Sequence, residues 1–202
     1  MAEISASQVK ELRSRTGAGI IDCRNALAEA NGDVEKAQQL LRAKGLASAA
    51  HKSGRTAKEG LVTAYIHGEG RLGVLVEINC ETDFVARTQD FKTLAHDVAM
   101  QIAATDPRYV SREEIAADVV ASERAAYLAQ ALAEGKPETV AGRIADGKLE
   151  KYFASVCLLD QPFIRDDGSK QRTVGDVVKE VIARTGENIR IRRLARFRLG
   201  ED

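Results

Sequence analysis

The spacing of apolar side chains changes character along this chain, and the change predicts its elements. At the start the period is helical. Ser5 and Gln8 have the form of a capping box, with Ile4 and Val9 as its hydrophobic staple. Leu12 continues the stripe, and Thr16-Gly17 supplies the stop. Ile20, Cys23, Leu27 and Ala30 predict a second helix ending at Asn31-Gly32. Asp33 caps a third, with Val34, Ala37, Leu40 and Leu41 inward and Gly45 as the expected stop. Three short helices over residues 1–46 have few apolar side chains to bury, which points to a small module tethered to something larger.

Residues 47–60 carry no large apolar side chain and read as a basic linker, helical at most at its start. It is either a solvated spacer or a contact for an acidic partner. Beyond it the period falls to two. Residues 61–67 predict one strand and Gly68-Glu69-Gly70 a turn. Leu72, Val74, Val76, Ile78 and Cys80 predict a second strand, closing an antiparallel hairpin. Phe91, Leu94, Ala95, Val98 and Ile102 return to helical spacing, stopped by Asp106-Pro107. Val110, Ser111, Glu114 and Ile115 repeat the staple and box. Helix is expected to Gly135, and again from Pro137 with Val140, Ala141, Ile144, Leu149 and Tyr152 inward. Residues 154–159 and 161–164 read as strands and 166–169 as a turn. Thr173 and Asp176 open a helix closed by Gly186, and Ile189 to Leu199 alternate as a last strand. The expected fold is α+β: a three-helix N-terminal module and linker over 1–54, then a core over 55–202 in which a small antiparallel sheet packs with helices.

Composition narrows the function. The 202 residues are 44% hydrophobic and 30% charged, a globular balance. No apolar run reaches the ~18 residues of a membrane span. The first residues lack a basic region followed by an apolar run, so no secretory signal is expected. Lys plus Arg equals Asp plus Glu at 30 each, which argues against a global field for nucleic acid or anionic membrane. Cys23, Cys80 and Cys157 are odd in number and far apart, as are His51, His67 and His96. This favours reduced thiols in a cytosol over a disulfide framework or a zinc site.

Three segments could carry chemistry. Gly68-Glu69-Gly70-Arg71-Leu72-Gly73 matches G-x-G-x-x-G, but a dinucleotide site needs a helix after it, and here a strand follows. The last strand sets Arg190, Arg192, Arg196 and Arg198 on one face with Leu194. Ile189, Ile191, Ala195, Phe197 and Leu199 stand on the other, with Arg193 intruding. Such a row is either a solvated outer face or an RNA contact, and the aromatic platforms RNA would use are absent from it. Phe84 and Val85 stand among charges where a strand gives way to a helix. Either Phe84 folds back beneath that helix, with Thr82 or Asp83 as its cap, or it projects as a wedge into a partner. No nucleophile elbow or Cys/His signature appears, so an enzyme is not expected.

Two segments, VKELRSRTGAGIIDC over residues 9–23 and EINCETDFVA over 77–86, closely resemble the signatures of the bacterial elongation factor Ts family. GENIRIRR over 186–193 matches a third family segment, and the resemblance extends over essentially the whole chain. It implies a cytoplasmic guanine-nucleotide exchange factor for the translational GTPase elongation factor Tu, with no cofactor of its own. Residues 1–54 would resemble a ubiquitin-associated domain and hold the GTPase, while 55–202 would carry exchange and dimerisation. Thr82, Asp83, Phe84 and Val85 would disturb the partner's Mg²⁺ site, Asp83 and Phe84 by entering between its helices and Thr82 and Val85 by shaping the turn. The chain resembles the family's short form, with a single core half, expected to pair as a homodimer. The protruding helical hairpin of the long form is not evident in the pattern. No membrane and no direct nucleic-acid contact is expected.

Overall fold

Helix ends lie where the capping chemistry puts them. The computed structural model describes residues 4–166 and 171–201. Helix α1 (Ala6–Thr16) opens with Ser5 and Gln8 answering each other's backbone N–H, and ends at Gly17 in the left-handed region. Helix α2 (Ile20–Glu29) follows, and Asp33 caps α3 (Val34–Lys52) by accepting from Glu35 N and Lys36 N. Strands β1 (Glu59–His67) and β2 (Leu72–Cys80) form the hairpin. Next come the four-residue helix α4 (Asp83–Ala86), then α5 (Gln89–Thr105), α6 (Ala117–Ala133), α7 (Glu138–Val156), α8 (Val174–Thr185) and β3 (Arg190–Arg198). The fold is α+β, with a three-stranded antiparallel sheet in the order β1-β2-β3 packed with helices. The G-x-G-x-x-G segment is the hairpin turn: Gly68, Glu69 and Gly70 all have positive φ, and β2 starts two residues later.

Packing groups the chain into two units. The first comprises Met1–Leu61, Ile78–Leu94 and Asp176–Arg190. Its N-terminal helices bury Leu12, Cys23, Ala26, Leu27 and Ala37, with Ile4, Val9, Val34 and Leu40 against them. Gly45 does not stop α3, contrary to expectation. A Cβ placed there would lie 3.0 Å from Ala183 Cβ on α8, so the glycine serves close helix approach instead. The first part of the basic stretch is consequently helix as far as Lys52.

The second unit comprises Val62–Glu77, Ala95–Gly175 and Ile191–Asp202. Here the structure departs from expectation at several places. Residues 154–156 are the last turn of α7, and Cys157 makes only an isolated bridge with Tyr109. A short apolar run does not by itself distinguish strand from helix, and the helix wins because Phe153 and Cys157, one turn apart, share a buried cluster with Ile115. Residues 161–164 likewise form a single bridge, Pro162 with Thr173, and the expected turn over 166–169 falls mostly outside the described residues. Ser111 makes no side-chain cap: Glu114 accepts from Val110 N at 2.8 Å, and only a 3₁₀ turn, Arg112–Glu114, forms.

The two helices expected on either side of Gly135 and Pro137 are present, and they pack as a hairpin that the pattern had not paired. Helices α6 and α7 lie antiparallel across the Glu134–Pro137 turn, with Ala131, Ala141 and Ala145 fully buried. Small side chains at these positions let the two backbones approach. Their contribution to a sequence pattern is weak, because alanine reads as neither core nor surface.

The last strand departs from its predicted faces. Arg192 and Arg193, consecutive residues, both bind the Glu77 carboxylate, at 2.9 and 2.7 Å. Both guanidiniums stay largely exposed, and β3 runs unbroken from Arg190 to Arg198. Arg196, expected in solvent, is 10% exposed and pairs with Asp106 and Glu201. Phe197, expected in the core, is 71% exposed.

Candidate functional site

The turn after β2 is built from both ends. β2 finishes at Cys80, whose buried thiol donates to Thr82 O at 3.1 Å. Burial, reinforced by the Glu187 charge, pushes that thiol up to about 11. Thr82 is extended, at φ −129° and ψ 155°, and its Oγ1 accepts from Val85 N to cap α4. Thr88 then takes over: its hydroxyl donates to Val85 O and accepts from Phe91 N, which opens α5.

The four predicted residues fall into two pairs. Val85 faces inward and is buried, and Thr82 is the cap, so these two shape the turn. Asp83 and Phe84 face outward. Asp83 Oδ2 accepts from the Arg87 guanidinium at 2.7 Å on the same exposed turn. Phe84 is 83% exposed. The alternative in which it packs beneath the following helix does not hold; that place belongs to Phe91, which is fully buried.

A second segment, far away in sequence, holds the turn, and sequence reasoning assigned it no role. Glu187 Oε2 accepts from the backbone N–H of Glu81 at 3.1 Å and of Thr82 at 3.0 Å. Its Oε1 accepts from the Thr82 hydroxyl at 2.6 Å. In return, Glu81 Oε1 accepts from Asn188 N at 2.6 Å. Asn188 is buried, and its amide donates to Ser53 O and Arg55 O. The available signal was the family segment containing Glu187, which lies immediately after the Gly186 helix stop.

The N-terminal helices add a shallow groove of about 510 Å³, lined by Ile4, Ala6, Val9, Lys10, Arg13, Ile20 and Arg24. Ile20 and the neighbouring Ile21 are exposed. An apolar floor with basic rims suits an amphipathic, acidic partner surface.

The outer face of the sheet is the other unusual surface. Val62, Ile66, Leu75, Phe197 and Leu199 are all exposed there. Leu199 N donates to Arg71 O, which sets Phe197 opposite Gly73, and a Cβ on Gly73 would touch Ile66 Cδ1 at 3.4 Å. These side chains therefore form one apolar patch across all three strands. Among the described residues no group of three or more His, Cys, Asp or Glu could hold a metal ion, and no helix is long and apolar enough to cross a membrane.

Comparison with known proteins agrees over the whole chain. Residues 48–170 match the sequence model of a family described as Elongation factor TS. Elongation factor Ts of Desulforamulus reducens is 58% identical over 201 residues, covering 100% of this chain and 91% of that protein. That of Caldanaerobacter subterraneus subsp. tengcongensis is 59% identical over 198 residues, covering 98% of each. That of Carboxydothermus hydrogenoformans is 60% identical over 198 residues, covering 98% of this chain and 90% of its own length.

Proposed function

The chain belongs to the elongation factor Ts family of translation elongation factors, and from that premise we propose that it is the guanine-nucleotide exchange factor of elongation factor Tu in the cytoplasm. The observation that carries the reading is Phe84, a large aromatic left in solvent on a turn whose backbone is hydrogen-bonded from both sides. A large aromatic held out on a fixed turn is available for burial in a partner's pocket, where such anchors carry much of the binding energy.

The mechanism is linkage. A GTPase holds its nucleotide through a phosphate loop and Mg²⁺. A protein that binds the nucleotide-free state better weakens nucleotide binding by the same factor. Phe84 and Asp83 enter the GTPase and displace groups that support its Mg²⁺ and phosphate site. GDP leaves and GTP binds. No bond is made or broken on this chain, and it needs no cofactor. Thr82 and Val85 fix the turn.

Residues 1–54 supply affinity through the Ile20 groove, and 55–202 supply exchange and dimerisation. The groove's basic and apolar lining supports the first part. Replacing Ile20 by Ser is expected to raise the concentration of this protein needed for half-maximal exchange, with the maximal rate kept. That substitution is a cleaner test than deleting 1–54, because α3 packs on α8 at Gly45 and deletion would strip that helix. A second copy of the chain covers the apolar sheet face. A patch that is apolar throughout is self-complementary across a two-fold axis, and its breadth exceeds what scattered surface residues would give.

Nucleic acid is not part of this reading. Arg192, Arg193, Arg196 and Arg198 are each paired with a carboxylate of this chain. The deciding experiment is stopped-flow release of a fluorescent GDP analogue from elongation factor Tu. The wild-type chain should accelerate release strongly and Phe84→Ala much less. Equal acceleration by both would remove the wedge from the mechanism.

A further inference from the structure

We propose that Glu187 is a positioning residue for nucleotide exchange: its carboxylate sets the direction in which Phe84 projects. The proposal rests on the reading of Phe84 as the inserted side chain. The backbone beneath that side chain needs outside support. β2 ends at Cys80, so the N–H groups of Glu81 and Thr82 have left the strand. They precede a helix of only four residues, too short to hold its own shape. Phe84 cannot fix the turn itself, since it is exposed. With buried Val85 anchoring the far side of Phe84, its direction depends on whatever holds residues 81 and 82.

One carboxylate does so. Glu187 takes both N–H groups on one oxygen and the Thr82 hydroxyl on the other. Bonds to an ionised acceptor are the stronger kind. The hydroxyl it binds is the same one that caps α4 through Val85 N, so the clamp runs directly into the helix that carries Phe84. Glu187 is itself fixed on both sides. Gly186 before it closes α8 at φ 78°, and Asn188 after it is buried with its amide bound to Ser53 O and Arg55 O. The Glu81 carboxylate answers by accepting from Asn188 N. The two segments clasp each other reciprocally across 105 residues of chain.

A clamp of this kind acts on the rate of the step rather than on encounter. Misdirecting a wedge by a fraction of its length leaves the docking surfaces intact but spoils the geometry of insertion.

The test uses the full chain with elongation factor Tu loaded with a fluorescent GDP analogue. Release is followed as a function of this protein's concentration, for wild type, E187A, E187Q, F84A and the E187A/F84A double variant, each with a melting curve. E187A should lower the maximal release rate by ~10-fold or more, with the half-saturating concentration within about twofold. E187Q keeps a planar acceptor and should stay within roughly threefold of wild type. The double variant should be no slower than F84A, because a positioning residue has nothing left to position. If E187A does not fold, T82V replaces it in the same cycle, since it removes the hydroxyl arm of the clamp.

If F84A is slow but E187A is as fast as wild type, the positioning role is overturned and the wedge stands. The positioning role is equally overturned if the double variant loses the product of the two single effects, or if E187A changes only the half-saturating concentration. If F84A is as fast as wild type, the wedge falls and the positioning role with it.

Discussion

Two regions of this molecule leave an aromatic ring in water, and they do it differently. At the turn after β2, Phe84 stands alone among charges, and the backbone beneath it is fixed by Glu187, by the Thr82 cap and by buried Val85. On the outer face of the sheet, Phe197 stands among Val62, Ile66, Leu75 and Leu199 on three strands that hold each other. A single anchored ring suits brief entry into a pocket. A broad flat patch suits lasting cover by a matching surface. The difference separates two proposed roles, exchange and self-association, onto surfaces that share no residue and can be broken one at a time.

The largest expected effect is a control on the turn. Phe91→Ala removes the buried aromatic of the same segment, and the free protein should lose ~3–5 kcal/mol of stability. Denaturant unfolding of the isolated chain measures it. Phe84→Ala should do the opposite: the free protein melts as wild type, while the rate of GDP release falls by an amount equivalent to ~2 kcal/mol. Should Phe84→Ala destabilise the free chain as Phe91→Ala does, the contrast between the two rings would be lost.

Next comes the sheet face. Phe197→Asp puts a charge in the middle of the patch, and if the proposed self-association uses this face its dissociation constant should rise roughly tenfold or more. Sedimentation across a concentration series reads it directly. Exchange per chain at saturating concentration should be unchanged. A variant that stayed dimeric would remove the second copy from this face. A variant that became monomeric and also lost exchange would tie the two surfaces to one function.

The sequence was informative in proportion to how local the physics is. The Ser5–Gln8 box, the Asp33 cap and the β1–β2 hairpin depend on neighbours a few residues away, and each stands where the pattern predicts. Three features depend on distant partners and were misread. Gly45 looks like a helix stop until Ala183 is seen against it. Arg196 is held by Asp106 and Glu201 and Phe197 is left in solvent, both against the alternating pattern. The α6–α7 pairing rests on Ala131, Ala141 and Ala145, of which the pattern set only Ala141 inward. The site divides the same way. Thr82 through Val85 were singled out through the family resemblance alone, and the strand-to-helix turn that carries them was legible from period. Which way Phe84 points was not, because it depends on a carboxylate from the far end of the chain.

The smallest effect concerns the floor of the turn. Burial pushes the Cys80 thiol up to about 11, with the nearby Glu187 charge adding to it, and burial does the same for Cys157, there with Asp160. In the unfolded chain both thiols titrate near the ordinary value of 9.0. Below that pH both states are protonated and the thiols leave stability unchanged. Between about 9 and about 11 the unfolded chain releases protons that the folded chain keeps, so the unfolded state gains and stability falls as pH rises. The outer sheet face has no thiol, so the thiol share of the decline belongs to the turn floor and to the Cys157 cluster; burial also raises Tyr127 and Tyr152, whose share the two cysteine variants leave in place. Denaturant midpoints taken at mildly and strongly alkaline pH should fall for wild type and fall less for Cys80→Ala and for Cys157→Ala. The comparison is between slopes, so the packing each alanine removes at every pH cancels. An unaltered slope in Cys80→Ala would mean that its thiol is reached by water in solution, and that the turn above it is looser than its hydrogen bonds imply.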